Sequence, residues 1–550
     1  MRVTVHFLNA ALCVGRLFVL LGLSFAASPA HADEDKPIAL SRLSPPGGQA
    51  GTTVTVQATG ELPSWPVAVW TDRGQLTWEP QEEAGVFAVT IPAEGALGRH
   101  RVRFTDSRGA TVVKPFLVGT VPEATESEPN NSRNEAQPIE SLPVTINGVL
   151  EKSGDVDGYR VHLEAGETLI ASLVANERLR SPIDAVLELV DTGGAYQARN
   201  LDAVGLDPRL IHTAARDSDV ILRVYAFPSA PNSTIGLSGS ADSLYRLTLT
   251  TAGFVTGTLP TAASSSGSTE VNAAGAHLPA GLPPVPVVAT TGSPTWVGYP
   301  GVAGVIEVPT VEASLALANP EPPAADPLFP PLVASGWFTQ ADQVDRFLLE
   351  VAKDQKLQVR VESQKAGFEA DPLLAIRDAS GMSLVAKQER DASFAWTAPA
   401  DGVFTFEIRD RRGRFGPGFL YRLTVEPETP RFAASVAADQ FTATAGEPLT
   451  IEVAIDRQFG YAETVECLLD SAPDGVTANL ATSPNEGDAA KKVSLTLTAT
   501  MPVSGPLRLI ARPAGSTAST PVVFGSSQLT EAWLTVLPAA KNAAAASTSP

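Results

Sequence analysis

The chain has 550 residues, 44% of them hydrophobic and 18% charged, which is too apolar for a disordered polymer and enough for several cores at roughly 100–200 residues per domain. Forty basic against 60 acidic residues give a formal net charge of −20. That excludes a general nucleic-acid backbone binder, because neutralising phosphates takes clustered Lys and Arg in excess. With 45 Pro and 44 Gly, short strands broken by many turns are expected, and few helices.

Arg2 and Arg16 precede the apolar run 17–27, and the stretch ends in Ala30-His31-Ala32, the small-x-small pattern of a secretory signal. Residues 1–32 are therefore read as a signal peptide whose removal leaves 38 basic and 60 acidic residues, a net charge of −22. The run is too short to span a bilayer, and no later segment reaches about 18 uninterrupted apolar residues. An exported protein is expected, periplasmic, cell-surface or extracellular, with no transmembrane segment. Cys13 lies in the signal, which leaves Cys467 as the sole thiol and permits no intrachain disulfide. Its alternating apolar context predicts a buried side chain.

Period-two alternation marks strands at 53–56, 357–361, 404–408 and 493–497. Turn signals such as Pro46-Gly47-Gly48, Thr192-Gly193-Gly194 and Gly413-Arg414-Phe415-Gly416 separate such runs. The fold class expected is all-β, a tandem array of antiparallel β-sandwich modules, jelly-roll-like and Ig-like. An internal repeat organises the array. Gly148 stands nine residues before Asp157, and Gly336 nine before Asp345; 184–189 corresponds to 371–376; and both copies close on Tyr-Arg-Leu-Thr, at 245–248 and 421–424. A weaker repeat precedes each copy, Gly51 through Gly60 to Leu62-Pro63 and Gly267 through Gly275 to Leu278-Pro279.

The segment Glu126-Ser127-Glu128-Pro129-Asn130-Asn131, followed by Gly154-Asp155-Val156-Asp157-Gly158-Tyr159 and the closing Tyr245-Arg246-Leu247-Thr248, resembles the bacterial pre-peptidase C-terminal domain, a jelly-roll-like β-sandwich appended to secreted peptidases. The resemblance covers 121–252. Residues 319–427 resemble a second copy, degenerate at its opening, where Asn319-Pro320-Glu321-Pro322 replaces the acidic segment. Residues 37–120 and, in degenerate form, 253–318 are similar to IPT/TIG-like Ig modules, 428–538 resembles an Ig-like domain by strand pattern, and 539–550 is expected to be a disordered tail. The arrangement is similar to that of exported multidomain proteins of planctomycete-type bacteria.

Glu126, Glu128, Asn130 and Asn131 place two carboxylates and two amide carbonyls within six residues, and Asp155 and Asp157 add more oxygens if the segments meet. About six hard oxygen donors are what Ca²⁺ takes. The resemblance points the same way, since related collagen-binding modules of clostridial collagenases use an acidic opening segment and a following aspartate pair for calcium. The competing interpretation is a solvated acidic linker with Asx turns.

Catalytic signatures are sparse. Four histidines lie beyond the signal, His100, His162, His212 and His277, with no His-Glu-x-x-His. Gly236-Leu237-Ser238-Gly239-Ser240 approaches a nucleophile elbow but has Ser for the second Gly. Neither a phosphate loop nor subtilisin-like motifs occur. His100 alternates with Arg99, Arg101 and Arg103 on the opposite strand face, the turn 409–415 is basic, and Trp65, Trp70 and Trp78 cluster in one module. The turn is a candidate anion-docking tip or an exposed hairpin, and the tryptophans are candidate sugar platforms or core.

A non-catalytic exported binding or scaffolding protein is expected, with stiff modules in series engaging an extracellular protein or polysaccharide. Two alternatives stay open: an accessory or targeting chain for a separately encoded secreted peptidase, and a hydrolase with a carboxylate site between modules.

Overall fold

The computed structural model describes residues 36–230, 236–288, 294–318 and 326–539. The expected signal peptide, the opening 319–322 of the second copy and all of the expected tail but residue 539 lie outside them. The alternation read from sequence is the alternation of burial. Leu357, Val359 and Val361 are each 0% exposed, and Phe404, Phe406 and Ile408 face the same core from the opposite sheet. Among the described residues the helices are one turn at Asn176–Leu179 and a 3-10 turn at Asp488–Ala490. None is long and apolar enough to cross a membrane.

Five units follow one another along the chain. In the first, Ala39–Ser44, Thr53–Glu61, Val86–Thr90 and Thr77–Pro80 form one sheet, and Gly47–Gln49, Lys114–Gly119, Gly98–Asp106 and Ala68–Thr71 the other. Trp65 and Trp78, both half-buried, pack edge-on against Phe87 at the margin of its core. The second unit pairs two five-stranded sheets between Glu123 and Thr250 around a 23-residue core. The third is smaller: one five-stranded sheet and a two-stranded pair between Phe254 and Val311. The fourth repeats the second with a five-stranded and a four-stranded sheet; its opening strand, Ser314–Leu317, precedes residue 319 and pairs in parallel with Leu332–Trp337, as Glu123–Thr125 does with Val144–Val149. The fifth, Arg431 to Leu537, closes over Cys467, which is 0% exposed and whose thiol burial pushes up to about 11. Such a thiol packs as a small hydrophobe.

The repeat has a physical reason. Gly148 lies directly across the sheet from Tyr245, and Gly336 from Tyr421. A Cβ on Gly148 would stand 2.2 Å from the Tyr245 ring, and one on Gly336 2.1 Å from that of Tyr421. Each glycine thus makes room for a buried ring. A further repeated feature has no counterpart in the sequence pattern: Asp207 accepts the backbone N–H groups of Ala175, Asn176 and Glu177, as Asp391 accepts those of Ser363, Gln364 and Lys365.

The units do not run as separate beads. Arg42 Nη1 donates to the Ala241 carbonyl at 2.6 Å, joining the first unit to the second, and Thr120 Oγ1 donates to the Val302 carbonyl at 2.6 Å, joining it to the third. Arg209 pairs with Glu369 at 2.7 Å between the second and fourth, and Arg422 reaches the Thr261 carbonyl at 2.9 Å between the fourth and third. The first unit also meets the last. Arg103, 1% exposed, lies over Trp70, donates through Nη1 to the Asp439 carbonyl at 3.0 Å and stands 3.3 Å from Asp439 Oδ2, while Trp70 Nε1 donates to Glu531 at 3.0 Å. Arginine forks that reach carbonyls and carboxylates of other units turn an expected series into a folded-back assembly.

Removing one partner of a buried pair leaves the other charge uncompensated, at a cost of about 3 kcal/mol. Asp439→Ala is therefore expected to separate the last unit from the first, giving an early melting transition in calorimetry and faster amide exchange over 98–106. A single unshifted transition with unchanged exchange contradicts the clasp.

Candidate metal centre

The chain enters the second unit along Glu123–Thr125, which pairs in parallel with Val144–Val149, then crosses the end of the sandwich through 126–131. Asp157 begins the strand Asp157–Leu163 on the facing sheet, and the Asn130 carbonyl accepts from Gly158 N–H at 3.1 Å. That bond lays the acidic opening against the aspartate pair. Carboxylate oxygens of Glu128, Asp155 and Asp157 all lie within 4.8 Å of one another. Donors sharing an ion at about 2.4 Å each are at most about 5 Å apart, so the three fit one Ca²⁺-sized cation.

The hydrogen bonding around them is incomplete. Asp155 Oδ2 accepts from Glu151 N–H at 2.6 Å, yet its Oδ1 is buried with no partner. Asp157 is 0% exposed; its Oδ2 accepts from the Tyr245 hydroxyl while Oδ1 has no partner. Asn130, also 0% exposed, has neither amide atom bonded. Buried polar atoms are rarely left so, because each forfeits its solvation. Glu128 is the exposed member, with Oε2 accepting from Asn130 N–H at 2.9 Å.

The other two candidates have different positions. Glu126 Oε1 accepts from Val149 N–H at 2.7 Å, and its Oε2 lies 3.1 Å from the Tyr245 hydroxyl. It sits beside Asp157 on the tyrosine side, outside the three-carboxylate group. Asn131 spends its carbonyl on Val156 N–H at 3.2 Å and its amide on Glu128 at 3.4 Å, so it positions both acidic segments. Tyr159 completes the network with its hydroxyl 2.5 Å from that of Tyr245. Burial holds Asp157 well above the usual carboxylate range, and the neighbouring Glu126 adds to it; Glu126 is raised by burial as well.

The second copy shows what completes such a site. Tyr421 donates to Asp345 Oδ2 at 2.7 Å, as Tyr245 does to Asp157, but Gln343 stands where the first copy has Asp155. Its Nε2 donates to Asp345 Oδ1 at 2.7 Å and to the Trp337 carbonyl at 3.0 Å. An amide N–H thus fills the position that is bare at Asp157. Phe347 replaces Tyr159 and ends the hydroxyl chain. Sequence spacing exposed the Gly, Asp and Tyr of each copy, but not that they touch. The substitution of Gln for Asp two residues before the shared aspartate was the available signal.

Other candidate groups are committed elsewhere. His100 is fully buried with Nε2 against the Ala96 carbonyl, and burial pushes it down to about 4. In the basic turn, Arg411 pairs with Asp371 at 2.8 Å and Arg414 with Asp410 at 3.0 Å, while Arg409 and Arg412 are exposed. The segment 236–240 packs by backbone against strand ends, Ser238 N–H to the Ala226 carbonyl and Ser240 N–H to that of Leu150, with no helix after it.

No family model and no curated protein matches the chain. Among solved structures, the D00-D0 domain of intimin is similar at 14% identity, over 37% of this chain and 98% of that one, with a TM-score of 0.15. The M60 catalytic domain with the CBM51-1 and CBM51-2 domains of Clostridium perfringens ZmpB is similar at 8% identity, over 71% and 46%, with a TM-score of 0.14. Escherichia coli alpha-2-macroglobulin activated by porcine elastase is similar at 11%, over 90% and 43%, also at 0.14. This chain spans less than half the length of the last two. At such TM-scores none of them bears on its function.

Without a cation, carboxyls with raised folded-state pKa values stabilise the fold in their protonated form. That contribution is complete below the unfolded value of about 4 and is lost as the pH rises through neutrality. In EDTA, Asp157→Asn should therefore gain melting temperature over wild type between about pH 5 and about pH 8. Millimolar Ca²⁺ should raise wild type at the upper end and leave the variant unmoved. A wild type with the variant's pH profile in EDTA contradicts this account.

Proposed function

We propose that the protein is an exported, non-catalytic, multimodular binding protein of the cell envelope or extracellular space. Its second unit is a pre-peptidase C-terminal-like sandwich stabilised by one structural Ca²⁺. The observation that carries this reading is the set of buried side-chain oxygens without a hydrogen-bond partner, Asn130 Oδ1, Asp155 Oδ1 and Asp157 Oδ1, beside the Glu128 carboxylate. The donor set is all oxygen, with neither imidazole nor thiolate, which suits Ca²⁺ and not Zn²⁺. Glu128, Asp155 and Asp157 would hold the ion, with Asn130 Oδ1 as the amide donor. Glu126 would remain behind Asp157 and Asn131 would brace the loop. The bound ion supplies positive charge in place of the missing donors, tying 126–131 onto the sandwich by mass action. Extracellular sites of this kind typically have dissociation constants near 10⁻⁴–10⁻³ M, which suits a calcium-rich medium.

The site borders a cleft of about 430 Å³ between the first and second units, lined by Arg42, Pro45, Glu126, Glu128 and Glu151. A loop fixed by the ion shapes one wall of this cleft. A polar segment of an extracellular protein or polysaccharide is the ligand we assign to it.

Equilibrium dialysis of the mature chain is expected to give one Ca²⁺ per chain. Combining Glu128→Gln with Asp157→Asn should abolish it, and the fourth unit, with Gln343 in place, should bind none. Arrays of glycans and matrix proteins probed with and without Ca²⁺ should show a ligand whose retention the same double variant loses. Zero or two ions per chain would refute the single-site assignment.

A further inference from the structure

The alternating arginines of the strand Gly98–Asp106 have three fates. Arg103 is taken by Asp439 of the last unit, and Arg101 pairs with Asp72 of its own at 3.3 Å. Arg99 has no hydrogen bond or ion pair among the described residues, and it is half-buried at the junction where the first four units meet. Two hollows there, of about 130 and 320 Å³, share Arg99, Arg178 and Thr256 in their walls.

The charges around this junction are unbalanced. Arg209 is matched by Glu369 at 2.7 Å and Arg246 by Glu123 at 2.6 Å. Arg178 has only a carbonyl, that of Val305 at 3.1 Å, and the face of Trp296. Asp207 faces the hollow too, but its oxygens are occupied by three backbone N–H groups. Burial holds Arg178 below the usual guanidinium range, and Arg209 and Arg99 add to this against the pull of Glu307 and Asp207. Glu307, itself exposed, is the one acid that acts on Arg73, Arg99, Arg178 and Arg422 alike. Glu177, exposed, also lines both hollows, so in a chain of net charge −20 this is a partly desolvated arginine cluster whose nearby acids are Glu307, Glu177 and the backbone-bonded Asp207.

We propose that this junction binds a small oxyanion, the carboxylate or sulfate group of a ligand, between Arg99 and Arg178, with Trp296 as an apolar wall. The smaller hollow holds about four waters' worth of volume, the size of one such group. Guanidinium forks match planar carboxylates and tetrahedral sulfates through paired N–H donors. The larger hollow accommodates the rest of a sugar-sized ligand. A bound anion would bridge the first three units, so occupancy and inter-unit order are coupled.

The test uses the intact mature chain stripped of divalent cations on a chelating resin and then assayed without chelator, which keeps the calcium site out of the measurement. Calorimetric titrations with sodium sulfate and sodium glucuronate are compared with sodium chloride at equal ionic strength. Saturable binding is expected for at least one oxyanion and none for chloride; sulfate alone indicates a sulfated ligand, tighter glucuronate a uronic acid. Arg99→Gln, which breaks no internal pair, should weaken binding about tenfold or more. Glu307→Gln removes the internal competitor and should strengthen it several-fold, whereas Lys492→Gln on the last unit should change nothing. Equal responses to chloride and the oxyanions, or unaltered binding in Arg99→Gln, would overturn the proposal.

Discussion

A carboxylate without exposed surface needs donors for both oxygens, and in each large sandwich a tyrosine from across the core supplies only one. The arrangement starts from a glycine, because only a residue without Cβ lets the ring of Tyr245 or Tyr421 lie across its strand. The ring carries its hydroxyl to Asp157 or Asp345 and fixes the spacing of both sheets at that end. What completes the aspartate then decides the character of the unit. Gln343 donates to the second oxygen of Asp345 in the fourth unit, whereas in the second unit Asp155 stands at that position and leaves Asp157 Oδ1 without a donor, beside the Glu128 carboxylate. Two sandwiches of one plan thus differ in chemistry through a few side chains, Gln343 for Asp155 and Phe347 for Tyr159 among them.

Arginine plays the corresponding part between units. The chain carries more acid than base, yet many of its arginines sit at module boundaries, where a long stem packs on apolar surface and a planar fork reaches a carbonyl or carboxylate of a neighbour. Arg42, Arg178, Arg209, Arg422 and Arg103 each join a different pair of units. Solvent-exposed acids keep the outside of the assembly hydrated.

Much of the fold was legible in the chain. Alternation at 357–361 and 404–408 specified which side chains face the core, because a strand's period of two leaves no other choice. The repeated Gly, Asp and Tyr marked the two copies, and the acidic segment 126–131 with Asp155 and Asp157 marked the candidate centre. Contacts between distant positions were not legible. Tyr245 meets Asp157 across 88 residues of chain, and nothing local announces it. Arg99, Arg101 and Arg103 look alike in sequence, but one partner lies in the same unit, one lies four units on, and one arginine has none. For the same reason Glu126 and Asn131 could not be separated from the residues that converge, since their different roles follow from backbone N–H groups at Val149 and Val156.

The contact of the first unit with the last bears on how the protein carries load. Beads in series lengthen as soon as their ends are pulled, each linker straightening in turn. Here a pull between 36 and 539 meets the Arg103–Asp439 and Trp70–Glu531 bonds first, while the covalent path through the middle units stays slack. Rupture of that seam would free the last unit from the first without unfolding a single sandwich, while the contacts among the first four units still hold. A protein anchored at one end and holding a ligand near the other would then yield in one step and could re-close when the tension falls.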